Sequence, residues 1–161
     1  QDTRTLTFDL SDPILYELGL EAAVAEWLTE QVQEKHGIET EFQDDGQTKP
    51  LDDDILALLF RNVREVLINI IKHAQARHVK VAVGKADRNI RISVTDDGVG
   101  FDPVEAAATA VKKAEFGLFS IRERLEQLGG RVEIESQPGR GTKITMIAPL
   151  KYERANDGTQ Q

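Results

Sequence analysis

Apolar positions recur along this chain with two different periods. From Leu18 to His36, the residues Leu20, Val24, Trp27, Leu28 and Val32 fall at helical spacing. Gly37 stands where such a helix would stop, with Lys35 and His36 in the last turn, where positive charge suits the helix dipole. A second helical pattern covers about 52–76. Ile55, Leu59, Val63, Val66, Leu67, Ile70 and Ala74 share its apolar face, and Asp52, Asp53 and Asp54 suit its N-terminus. A third helix is predicted over 118–128, ended by Gly129-Gly130. Period-two runs lie between these segments: Ile38, Thr40, Phe42; Val79, Val81, Val83; Ile90, Ile92, Val94; then 132–135 and 143–148. Leu6, Phe8 and Leu10 also alternate, as a short strand or a helix end, before the break at Asp12-Pro13. Helices interleaved with strands predict an α/β fold, a two-layer sandwich of one mixed β-sheet covered on one face by about three helices.

Composition narrows the function classes. The 161 residues suffice for one domain. Twenty Lys and Arg against 28 Asp and Glu give a net charge of -8. That balance argues against nonspecific binding to nucleic acid or to an anionic membrane, both of which need basic surface. A nucleotide pocket remains compatible, because a few local donors suffice there. With no cysteine there is neither a disulfide framework nor a thiolate metal site. His36, His73 and His78 show no zinc-ligand spacing. No stretch approaches a transmembrane span and no secretory leader is visible, so a cytoplasmic location is expected, in a parent protein with or without a membrane anchor.

Three glycine segments carry the candidate chemistry. Asp96-Asp97-Gly98-Val99-Gly100 follows a strand, Gly117-Leu118 opens a helix, and Gly139-Arg140-Gly141-Thr142 precedes a strand. Glycine permits close backbone approach and leaves N–H groups free for an anion. Taken singly, each is equally an ordinary turn, since Asp-Gly is a common hairpin signal. On the second helix Asn62, Glu65, Asn69 and Lys72 lie within about 80° of one another beside the apolar arc. An amide oxygen and a carboxylate suit Mg²⁺ shared with phosphates, and a lysine supplies a point charge. A solvated helix face explains the same stripe, and His73 fits a packed or capping role as well as a ligand role.

Together these motifs resemble those of sensor histidine kinases in the GHKL ATPase superfamily. Glu65 to Ala74 resembles the N box. Asp96 to Phe101, Gly117 to Leu125 with Leu128-Gly129-Gly130, and Gly139 to Thr142 resemble the three glycine boxes, in the family's order. Lys72-His73-Ala74 and Ile121-Arg122-Glu123-Arg124 resemble the subgroup of nitrate- and degradation-type sensors. Phe119 departs from the pattern, since many kinases carry a second glycine there.

The resemblance implies a Bergerat-type ATP-binding domain over 13–150. It implies that 1–12 is the remnant of a preceding dimerisation and phosphoacceptor helix, that 101–116 is an ATP lid and that 151–161 is a disordered tail. It implies Asn69 as Mg²⁺ ligand, Glu65 as the acidic residue one turn earlier, and Lys72 and His73 as phosphate contacts. Asp96 would accept the adenine amino group, Gly98 and Gly100 would line the base and ribose, Gly117 and Leu118 would offer N–H groups to phosphates, and Thr142 would line the adenine side. The implied activity is transfer of the ATP γ-phosphate to a histidine on a separate dimerisation domain and then to a response regulator. No phosphoacceptor helix is recognisable here, so the chain is expected to be monomeric and unable to phosphorylate itself. Two alternatives are an anti-sigma-factor-type serine kinase and a non-enzymatic nucleotide-binding module.

Overall fold

The computed structural model describes residues 13–102 and 118–151. Helix α1 spans Pro13–Leu18 and α2 spans Leu20–Trp27, with the chain broken at Gly19. The break at Asp12-Pro13 therefore opens a short helix ahead of the one predicted from Leu18. Proline is well placed there, because the first helical position needs no N–H. Helix α2 continues through Leu28–Glu34 as wider π-type turns. Strand β1 (Glu39–Asp44) follows, then α3 (Asp53–Asn69), which also widens into π-type turns over Ile70–Ala74. Gln75 takes a left-handed conformation (φ 53°) that ends the helix and turns the chain into β2 (His78–Ala86). Strand β3 (Asn89–Asp96), helix α4 (Leu118–Gln127), β4 (Arg131–Ser136) and β5 (Thr142–Pro149) complete the described elements.

The five strands form one mixed sheet in the order β1-β2-β3-β5-β4. β1 and β2 are parallel, and helix α3 supplies the long crossover such pairing needs; the remaining pairs are antiparallel. Alternate residues of the sheet face the helices: Val79, Val81 and Val83 on β2, then Ile90, Ile92 and Val94 on β3. They pack with Val24, Leu28 and Val32 of α2, Leu59, Val63 and Val66 of α3, and Ile121 and Leu125 of α4 in one core. Each such side chain contributes roughly 1.5–3 kcal/mol on full burial. The two-layer α/β arrangement expected from the periodicities is the one observed. Among the described residues no helix is long and apolar enough to cross a membrane. The expected helix remnant at 1–12, residues 103–116 of the lid, Gly117, and the tail beyond Lys151 lie outside the described residues.

The connection from β1 to α3 is fastened by a buried cation. The Lys49 side chain is only 1% exposed, and its ammonium lies 2.6 Å from Asp45, 3.1 Å from Asp44 and 3.1 Å from Glu21 of α2. It also donates to the Gln47 carbonyl at 2.8 Å. Burial disfavours the charge, but the hydrogen bonds that Lys49 donates to these carboxylates outweigh that and hold it protonated above the usual lysine range. Asp45, bonded in addition to the backbone N–H groups of Lys85 and Gln47, is held well below the usual carboxylate range.

Candidate functional site

A cleft opens between the C-terminal half of α3, the end of β3, the first residue of α4 and the start of β5. Its enclosed volume is about 60 Å³, with further space open to solvent. Val66, Ile70, Val99 and Ile144 make its apolar wall, and Asn69, His73, Asp96 and Thr142 supply polar groups.

The register of the sheet puts Asp96 there. Ile90, Ile92 and Val94 occupy the core face of β3, and Asp96 is the next residue on that face, so a carboxylate takes a position otherwise held by an aliphatic side chain. It is 6% exposed. Burial pushes its carboxyl above the usual range, the Gly98 N–H opposes that, and neighbouring Asp97 adds to it. One oxygen, Oδ1, accepts the Gly98 N–H at 2.8 Å. The other takes no hydrogen bond from a described residue. Thr142 sits directly across the ladder from Asp96.

The glycine loops are packed against one another and against α3. Val99 N–H donates to the Ala74 carbonyl at 2.7 Å, and a Cβ at Gly98 would overlap that same carbonyl. Gly100 has a left-handed φ of 67°, and a Cβ there would overlap the backbone of Gln137 and Gly141. The protein's own backbone thus requires these glycines, whatever the cleft holds. Ser136 ties the segments together. Its Oγ accepts the Phe101 N–H at 2.9 Å, donates to the Gly141 carbonyl at 3.1 Å and lies 2.7 Å from Thr142 Oγ1. A hydroxyl has one hydrogen. Ser136 spends it on Gly141, so Thr142 donates to Ser136 and offers the cleft only acceptor lone pairs.

The polar stripe on α3 divides. Asn69 and His73 line the cleft. Asn62 and Glu65 instead meet Arg124 of α4: Nη1 donates to Asn62 Oδ1 at 2.7 Å, and Nη2 donates to Glu65 Oε1 and Oε2 at 3.0 and 3.1 Å. Lys72 is exposed and is not among the residues lining the cleft. The wheel placed Lys72 beside Asn69 on the assumption of about 100° per residue. The π-type turns from Ile70 advance only roughly 80–85° per residue, which swings residue 72 away from Asn69 and keeps residue 73 near it. Outside the cleft Asp97 bonds the N–H groups of Arg77 and His78 through Oδ1 (2.8 and 2.9 Å) and the His78 ring through Oδ2 (2.7 Å). Glu39 reaches the other ring nitrogen at 3.0 Å. Partial burial works against the Asp97 charge, yet these hydrogen bonds lower its carboxyl to about 2. The Asp97 hydrogen bond raises the His78 imidazole above its ordinary value.

Of the expected site residues, Asn69, His73, Asp96, Gly100, Leu118 and Thr142 line one cleft. Gly98 backs the loop beneath it, Glu65 is engaged by Arg124, and Lys72 points elsewhere. Sequence reasoning missed Arg124 and Ser136. Arg124 stood in the sequence within the Ile121-Arg122-Glu123-Arg124 motif, beside the apolar Ile121 and Leu125, with no site role attached. For Ser136 the signal was a hydroxyl at a strand end, and neither signal names a partner. Among the described residues no group of three or more His, Cys, Asp or Glu could hold a metal ion.

Residues 53–152 match the family described as histidine kinase-, DNA gyrase B-, and HSP90-like ATPase. The chain is 34% identical over 154 residues to an uncharacterised sensor-like histidine kinase of Chloroflexus aurantiacus, covering 93% of this chain and 26% of that protein. It is 34% identical over 153 residues to the oxygen sensor histidine kinase NreB of Staphylococcus carnosus, covering 92% of this chain and 42% of that one. The chain therefore spans well under half the length of these curated relatives. Among solved structures it is similar to the blue-light activated histidine kinase of Erythrobacter litoralis EL346 (TM-score 0.64, 20% identity, 81% of this chain and 42% of that one). It is also similar to the catalytic domain of the histidine kinase ThkA (TM-score 0.60, 19% identity, 82% and 91%). At such identities the structural likeness speaks for the fold.

Proposed function

Because this chain belongs to the histidine kinase-, DNA gyrase B-, and HSP90-like ATPase family, we propose that its cleft binds Mg·ATP as the catalytic domain of a two-component sensor histidine kinase. The observation that carries this reading is Asp96. A carboxylate is buried on the core face of a strand, with one oxygen used by its own loop and the other open to an apolar cleft. Such a group suits an N–H donor on a flat ring, as in adenine, because a buried acceptor left unpaired costs about 1–3 kcal/mol. Thr142, restricted to accepting, adds a second acceptor beside it.

The donor set fits a magnesium ion shared with phosphates. Asn69 offers one hard oxygen, and Mg²⁺ keeps several waters and leans on substrate oxygens rather than on a full protein cage. When bound, the ion offsets phosphate charge. Asn69 would hold it, His73 would face the phosphates from the same helix side, and the N–H groups at Gly117 and Leu118 would orient them at the start of α4. Catalysis would then rest on placement and electrostatics. The acceptor histidine would come from a dimerisation domain, and the phosphate would pass on to a response regulator.

Calorimetric titration with ADP and a non-hydrolysable ATP analogue, with and without Mg²⁺, tests the reading. Binding that tightens with Mg²⁺ and is lost in Asp96→Ala supports it, and absence of binding overturns it. A Mg²⁺ dependence that survives Asn69→Ala would favour a non-enzymatic nucleotide-binding module.

A further inference from the structure

We propose that Arg124 restrains Glu65 and thereby limits hydrolysis of nucleotide held in the cleft. The inference rests on the nucleotide reading above. Glu65 stands one helical turn before Asn69, and its neighbour Val66 lines the cleft, yet Glu65 itself is outside the lining. Its two oxygens both accept from Nη2 of Arg124, at 3.0 and 3.1 Å.

The clamp is held from a second side. Arg124 Nη1 donates to Oδ1 of Asn62 at 2.7 Å, and Asn62 is fully buried at 0% exposure. Arginine has donors only, so Asn62 must turn its oxygen toward it. The amide nitrogen then faces away and has no hydrogen-bond partner among the described residues. A buried amide left half-satisfied is unfavourable, and the guanidinium fork explains why it is oriented so. Arg124 is therefore braced on two residues of α3, unlike a surface ion pair whose members drift. Both ionic side chains are largely covered, 24% and 30% exposed.

The chemical consequence follows from what a free carboxylate would do there. Water attacking the terminal phosphorus forms a P–O bond, the bond to the bridging oxygen breaks, and ADP leaves with that electron pair. The proton lost by the water passes to a base, and a carboxylate one turn from the phosphate site is placed to take it. Glu65 held by Arg124 has both oxygens engaged as acceptors, so neither is turned toward that water. A domain that must deliver its phosphate to a protein gains from such restraint. The clamp residue also lies on α4, whose first residue, Leu118, lines the cleft.

The test compares the parent chain, Arg124→Met, Arg124→Lys and the double variant Glu65→Gln, Arg124→Met. ADP affinity is measured by calorimetry and phosphate release from saturating Mg·ATP is followed in time. Arg124→Met is expected to bind ADP and to release phosphate at least about fivefold faster, a fraction of the 10²–10⁴ that a well-placed base contributes. Arg124→Lys should fall between, because an ammonium pairs with Glu65 without the fork that also holds Asn62. The gain should vanish in the double variant. A merely structural arginine would give a slower variant, never a faster one. If Arg124→Met binds ADP and is no faster, or if the gain survives Glu65→Gln, the clamp is overturned and the nucleotide reading stands. If the parent binds no ADP, the nucleotide reading falls and takes the clamp with it. Should Arg124→Met fail to fold, Arg124→Lys decides: faster release supports the clamp, and an unchanged rate overturns it.

Discussion

Gly98→Ala probes how the cleft is built. Gly98 lies against the last turn of α3, where an added Cβ would overlap the Ala74 carbonyl and press on the Ala74 methyl. The loop must then lift from the helix end. Lifting breaks the 2.7 Å bond from Val99 N–H to Ala74 O, a net loss of about 0.5–1.5 kcal/mol. Relieving the overlap costs about 1–3 kcal/mol, as other insertions into packed sites do. Against this, alanine makes the unfolded chain less free, returning about 0.4–1 kcal/mol. The balance is a destabilisation of roughly 1–4 kcal/mol. With a urea slope of about 2 kcal/mol per molar, the unfolding midpoint should fall by roughly 0.5–2 M. Nucleotide affinity should fall as well, because the Gly98 N–H anchors Asp96. Ala74→Gly should not rescue the variant, since the carbonyl is the nearer obstacle. A variant as stable as its parent, or one that binds ADP unchanged, would refute the reasoning.

Other perturbations follow from the same geometry. Asp96→Asn keeps the shape but presents the wrong hydrogen-bonding pattern, and nucleotide affinity should drop about 10- to 100-fold by calorimetry, matching the 1.5–3 kcal/mol of a charged hydrogen bond. Leu59→Ala, at a fully buried position of α3, should cost about 2–5 kcal/mol in urea unfolding. The His78–Asp97 contact should stabilise over a bounded pH window. Asp97, lowered from 3.8 to about 2, contributes above pH 4, and that contribution is lost as pH falls toward 2. His78, raised above 6.5, contributes fully below 6.5 and loses its share as pH rises through its raised value. The difference in unfolding midpoint between the parent and Asp97→Asn should therefore be widest between about pH 4 and 6.5, and a flat difference across pH would count against the pairing.

Much of this architecture is written in periodicity. Ile90, Ile92 and Val94 announce a strand, and counting two residues onward puts Asp96 on the same buried face. The apolar arc of α3 identifies the helix that walls the cleft. What periodicity cannot convey is a change of helical pitch. The wheel that grouped Asn69 with Lys72 assumed one pitch throughout, and the widening at Ile70 keeps His73 and discards Lys72. Contacts between distant segments are also silent in a pattern. Nothing in Ile121-Arg122-Glu123-Arg124 says which arginine turns inward or that Glu65 waits for it. The glycines were legible as special positions, but the reason lay in tertiary packing: Gly98 and Gly100 make room for neighbouring backbone.

Lys49 also has a consequence for the chemical reactivity of the chain. Amine-directed reagents need a lysine that is neutral and within reach of solvent. A side chain 1% exposed, its ammonium ringed by Glu21, Asp44 and Asp45, meets neither condition. The segment between β1 and α3 lacks regular structure, yet its one lysine is withheld from acylation for as long as the domain stays folded. Labelling at Lys49 thus reports opening of this corner of the molecule, and its onset under denaturant would time the release of α2 from the β1 end of the sheet.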